Sequence, residues 1–77
     1  MATAPRPPEH KDRTFRILFE QETDGRWLAE VPELPGVMAY GKTKSDAEVG
    51  VTALALRVIA DQTEQAKKPP KSIRFTP

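Results

Sequence analysis

Few residues in this chain could do covalent or acid–base chemistry, and they are spaced poorly for it. His10 is the only histidine, and it sits among Pro5, Pro7 and Pro8 in a stretch with no large aliphatic residue beyond Met1. A general base must be held within hydrogen-bond reach of the proton it takes, and nothing in that stretch would hold this one. Glu20 and Glu30 fall on the same outward face of two successive strand patterns. A two-metal hydrolytic centre needs more carboxylates than two, so both are expected to be solvated polar positions. Trp27 could stack on a nucleic-acid base, but Ala29 and Val31 share its face, which favours a core aromatic over a platform. Single-strand binders combine such aromatics with a basic groove, whereas Arg13, Arg16, Arg26, Lys42, Lys44, Lys67, Lys68, Lys71 and Arg74 are scattered. The residues therefore point to a binding protein rather than an enzyme, with no cofactor and no metal expected.

The elements that carry these residues can be read from periodicity. Residues 1–12 are expected to form a proline-rich tail, leaving 13–77 as a single domain. Over Thr14 to Gln21, Phe15, Ile17 and Phe19 alternate with Arg16, Leu18 and Glu20, the signature of a half-buried strand. Trp27, Ala29 and Val31 alternate in the same way with Leu28 and Glu30. Register fixes the loop between them, because a one-residue slip exchanges the two faces of a strand. A two-residue Asp24-Gly25 loop sets Phe19 opposite Glu30. A three-residue Thr23-Asp24-Gly25 loop sets Glu22 opposite Arg26, Phe19 opposite Ala29 and Ile17 opposite Val31, so that the apolar sets coincide. The spacing predicts a type I turn with a left-handed Gly25 and a G1 bulge.

Pro32 and Pro35 lack amide hydrogens, so the segment from Val31 to Gly36 is expected to leave the ladder as a stiff corner. Val37 to Tyr40 reads as a short third strand. A helix follows to about Gln65, opening either at Thr43, with Asp46 three residues on, or at Ser45, with Glu48. Ala47, Val51, Leu54 and Val58 make its apolar stripe, widened by Ala55 and Ile59. Gly50 costs that helix about 1 kcal/mol relative to alanine, which suggests close packing on the sheet. Pro69-Pro70 stop the helix, and Ser72 to Thr76 alternates as a fourth, edge strand with Ile73 and Phe75 inward. The expected class is α+β: a three-stranded antiparallel sheet, one helix on one face and a short fourth strand. Leu18 and Leu28 then lie on the uncovered face beside Arg16, Glu20 and Glu30, either as a contact surface or as incidental exposure.

The chain has 77 residues, with 12 basic side chains against 11 acidic ones and no cysteine. A net charge of +1 gives no long-range attraction to nucleic acid. The absence of thiols excludes disulfides and thiolate metal sites and fits a reducing compartment. No apolar run reaches the roughly 20 residues that span a bilayer, and the first dozen residues lack a secretory apolar segment. A cytoplasmic location is expected. A domain this small gains from oligomerisation.

The combination Asp24-Gly25, Trp27, Ala29-Glu30, Pro32, Leu34-Pro35-Gly36 and Gly41 with Thr43 resembles the HicB-like antitoxins over about Thr14 to Ile59. That resemblance implies a partial ribonuclease H fold in β-β-β-α-β order and a helix opening at Thr43. It implies a partner as well: a HicA-like toxin, a small basic ribonuclease with a double-stranded-RNA-binding-like fold and a catalytic histidine, whose active site the antitoxin covers. The partner-binding residues expected here are Arg16, Leu18, Glu20, Leu28 and Glu30, in a homodimer or higher homo-oligomer. Longer members of the family carry a C-terminal DNA-binding domain; with the chain closing at Pro77, direct DNA binding is not expected. The alternatives are an RNA-binding or nuclease-related protein on a truncated ribonuclease H scaffold, and a stand-alone adaptor that oligomerises through its open sheet edge.

Overall fold

The structure, a computed structural model, describes residues 13–77; the proline-rich segment and His10 lie outside the described residues. Five short strands and one helix follow in the order β1 (Arg13–Arg16), β2 (Leu18–Gln21), β3 (Trp27–Glu30), β4 (Met38–Gly41), α1 (Lys44–Ala66) and β5 (Ile73–Thr76). The architecture is α+β. β2, β3 and β4 form an antiparallel sheet in that order, and β5 runs parallel to β1.

The hairpin register follows the matching of its faces. Phe19 lies opposite Ala29 and Leu18 opposite Glu30. The Glu22 amide donates to the Arg26 carbonyl at 2.7 Å, and the Gly25 amide donates to the Glu22 carbonyl at 2.9 Å. Gly25 has φ of 92°, a conformation glycine adopts without the Cβ penalty of other residues. The Asp24 carboxylate accepts from both the Arg26 amide, 3.1 Å, and Nε, 2.9 Å, and pins the loop.

The expected single strand over Thr14 to Gln21 is divided at Ile17, because the chain changes partners there. Its even-numbered amides face β3, as the Glu22 bond shows; those of Arg13 and Ile17 face the other way and donate to the Ser72 and Thr76 carbonyls at 2.9 and 2.7 Å. Extending the β2–β3 register by two residues sets Pro32 opposite Arg16. The corner has by then left the ladder, and the Glu33 carboxylate takes the place of a strand: it accepts from the Arg16 amide at 3.1 Å and from Arg16 Nε at 2.7 Å. The corner itself is a compact double turn. Leu34 N–H donates to the Val31 carbonyl and Val37 N–H to the Leu34 carbonyl, which swings Leu34 into the core at 2 % exposure.

Thr43 caps α1. Its hydroxyl accepts from the Asp46 amide at 3.0 Å, one of the helix-start donors left without an intrahelical partner. Lys67 closes the other end in the left-handed conformation, φ 57°, with its amide donating to the Thr63 carbonyl. The deepest line on α1 is Ala47, Val51, Ala55 and Ile59. Leu54 and Val58, expected in the centre of the stripe, flank it half-buried. Small residues bring α1 close to the sheet: a Cβ at Gly50 would stand 3.3 Å from Ala39 Cβ on β4. Phe15, Ile17, Ala29, Val31, Leu34 and Val37 complete the core. Phe75 stacks on Phe15 with 5.6 Å between ring centroids, and Ile73 packs beside it at the core margin, as their alternation predicts.

Candidate functional site

With α1 on one face of the sheet, the other face has no covering element among the described residues. All five residues expected to contact a partner stand on it. Leu18 lies opposite Glu30, and Glu20 opposite Leu28, so acid and leucine alternate across the hairpin. Leu18 is 47 % exposed; Leu28 and Glu30 are half-buried by their neighbours, and Glu20 and Arg16 are exposed.

The third strand enlarges this surface. Leu28 lies opposite Tyr40 and Glu30 opposite Met38, giving two cross-strand rows: Leu18, Glu30, Met38 and Glu20, Leu28, Tyr40. Met38 is 44 % and Tyr40 50 % exposed. The sequence carried the signal for both, since Val37 and Ala39 alternate with them and turn inward. What a strand-by-strand reading misses is adjacency. Only the β3–β4 register shows that Leu18, Leu28, Met38 and Tyr40 share one face, with the two carboxylates interleaved among them, and several apolar side chains gathered on one face are more informative than single exposed leucines.

The two arginines of this face are already committed at its ends. Arg16 is held by Glu33 at the proline corner, N to O 2.7 Å. Arg26 is held by Asp24 at the turn, 2.9 Å, and its guanidinium lies 4.6 Å from the Tyr40 ring centroid, a stacking arrangement that orients both side chains. The carboxyls respond to these contacts. The Arg16 side chain holds Glu33 below the ordinary carboxylate range, and the Arg26 amide, then its guanidinium, does the same for Asp24. Glu20 and Glu30 make no ion pair among the described residues. The centre of the face therefore presents carboxylates that the fold does not neutralise, set between exposed apolar side chains.

Trp27 is turned to the opposite face. It is half-buried against the core, with Lys44 Nζ 5.8 Å from its ring and 4.7 Å from that of Phe19. Glu20 and Glu30 stand apart from any third ligand: among the described residues, no three His, Cys, Asp or Glu side chains gather as a metal site. A shallow groove of about 290 Å³ lies at the far end of α1, between Arg13, Thr63 and Pro70, and contains none of the five expected residues. Among the described residues, no helix is long and apolar enough to cross a membrane. Comparison of the chain with protein-family models, with curated proteins and with solved structures found no match.

Proposed function

We propose that this domain is a HicB-like antitoxin that works in the cytoplasm as a binding protein, neutralising a small basic HicA-like ribonuclease by covering its active site. One observation carries the reading: the uncovered sheet face joins exposed Leu18, Met38 and Tyr40 to Glu20 and Glu30, whose charges the fold leaves uncompensated. Apolar side chains give such a contact its affinity and lasting dissociation times, while carboxylates select a basic surface and speed encounter with it. The net charge of +1 hides this local acidity. Masking needs no reactive group on this chain, since RNA is excluded from the partner by occupation.

The rival reading, an RNA-binding protein, is disfavoured by the same carboxylates, because a phosphate backbone on this face would meet Glu20 and Glu30 at close range. Co-expression with a HicA-like ribonuclease tests the proposal. The wild-type chain is expected to co-purify with it and restore growth. Leu18→Arg, or Glu20→Lys with Glu30→Lys, is expected to weaken the complex by about tenfold or more, equivalent to about 1.4 kcal/mol, with the fold retained. Unchanged affinity in both variants, or RNA binding by the purified chain that survives them, would overturn it.

A further inference from the structure

Met38 carries the only sulfur among the described residues: the chain has no cysteine, and its other methionine is Met1. Methionine commonly fills irregular gaps in a core, but this one stands outside the core and is 44 % exposed. It lies on β4, whose outer side pairs with nothing among the described residues. Its approaches are open. Gly36, two residues before it, has no side chain, and even an added Cβ there would meet nothing within 4 Å. Across the ladder lies Glu30, and beyond Glu30 lies Leu18. The thioether therefore ends a cross-strand row of the face proposed to meet the toxin, where it is within reach of small oxidants until a partner covers it.

We infer that Met38 is a reversible oxidation site that controls this contact face: a peroxide converts its thioether to the sulfoxide and weakens partner binding, and reduction restores it. In the forward step a sulfur lone pair attacks one oxygen of hydrogen peroxide. The O–O bond breaks, an S–O bond forms, and the departing hydroxide takes the proton of the transferred oxygen and leaves as water. Sulfur gives up two electrons and the peroxide gains them. The return step consumes two thiols, which become a disulfide, and releases the sulfoxide oxygen as water. Oxidation turns a flexible apolar side chain into a polar one, and methionine is a residue that interfaces favour. Inside a covered contact the S=O group must shed its water, which is costly where no donor replaces it. Glu30, directly opposite, offers none, since an ionised carboxylate only accepts, and Arg16 and Arg26 are held by Glu33 and Asp24. The fold itself is spared, because the sulfur lies outside the core. The inference rests on the masking proposal and adds to it a means of release.

Treating the full chain with hydrogen peroxide, removing the excess with catalase and only then adding an untreated HicA-like ribonuclease tests it. Mass spectrometry is expected to show oxygen added at Met38 at a rate close to that of N-acetylmethionine amide in the same tube, with circular dichroism and the urea midpoint unchanged. The dissociation constant is expected to rise by about tenfold or more. It should return to its untreated value after incubation with dithiothreitol and the two sulfoxide reductases that take the two epimers. Met38→Leu, which keeps Met1, is compared with its own untreated sample and should respond to peroxide with no change in affinity. Wild-type binding that is unaltered once Met38 is oxidised would overturn this inference alone. The same holds for a Met38 that resists peroxide while the reference compound is consumed, for a peroxide effect that persists in Met38→Leu, for loss of binding that accompanies unfolding, and for no recovery on reduction. Failure of the untreated chain to bind the ribonuclease would instead refute the masking proposal, and this inference with it.

Discussion

Gly41→Ala is expected to be among the most damaging single-methyl changes in this domain. A Cβ at position 41 would overlap the Ala47 amide nitrogen and stand 2.8 Å from both the carbonyl carbon and Cβ of Asp46, where carbon atoms settle at about 3.5–4.0 Å. The obstructing atoms are mostly backbone of the first turn of α1, so that turn must move by about 1 Å to reach ordinary contact distance. Two bonds run through it: Asp46 N–H to the Thr43 hydroxyl, 3.0 Å, and Ala47 N–H to the Thr43 carbonyl, 3.1 Å. Losing the cap costs about 1 kcal/mol, and overpacking against a fully buried Ala47 adds about 1–3 kcal/mol. A domain of this size has about 3–5 kcal/mol in total, so most of its margin disappears. Urea unfolding followed by Trp27 fluorescence measures the effect. Two companions bracket it: Thr43→Ala loses the cap alone, about 1 kcal/mol, and Gly50→Ala meets a single methyl at 3.3 Å while gaining about 1 kcal/mol of helix propensity, staying within about 1 kcal/mol of wild type. A Gly41→Ala midpoint equal to wild type, or milder than that of Thr43→Ala, would refute the close approach of strand end and helix start.

Leu34→Ala empties a site 2 % exposed and is expected to cost about 2–5 kcal/mol, leaving the chain largely unfolded by circular dichroism at physiological temperature. Gly25→Ala forces a side chain into φ of 92° and should cost about 1–2 kcal/mol; Gly25→Asn, which tolerates left-handed geometry better, should cost less in the same denaturation assay. Asp24 and Glu33 have lowered folded-state pKa values, from ordinary values of 3.8 and 4.5, so the unfolded chain binds more protons in acid. Their contribution to stability is present above those ordinary values and is lost as pH falls through the folded ones. Denaturation midpoints measured against pH should therefore drop on the acid side, and Glu33→Gln should flatten part of that drop.

Much of this geometry was legible in the chain because local constraints agreed with one another. Only a three-residue turn aligned the apolar faces of the hairpin, and Phe19 does lie opposite Ala29. Thr43 accepts the Asp46 amide that its spacing implies. The parallel pairing of β5 with β1 was not legible, since it depends on the path taken after Pro69-Pro70 rather than on the alternation of Ile73 and Phe75. The break at Ile17 has the same origin: the strand pattern is uninterrupted, and only the change of neighbour divides it. Leu34 lies between two prolines, where neither helical nor strand periodicity marks an inward residue. Along α1, Leu54 and Val58 belong to the expected apolar stripe but flank it half-buried. The deepest line runs through Ala47, Val51, Ala55 and Ile59, a rotation of the buried face that spacing alone does not fix. The candidate site was half visible. Arg16, Leu18, Glu20, Leu28 and Glu30 share the face their parity assigns, while Met38 and Tyr40 join it through a register between two strands.

Methyl-resolved NMR of the domain, titrated with a HicA-like basic ribonuclease, tests the proposed surface most directly. Occupation of the uncovered sheet face predicts that the methyl signals of Leu18, Leu28 and Met38 shift or broaden together, while those of Val51, Ala55 and Ile59 in the core hold their positions. Perturbation confined to Val49 and Leu56 on the exposed side of α1, with Leu18 and Leu28 unmoved, would contradict it.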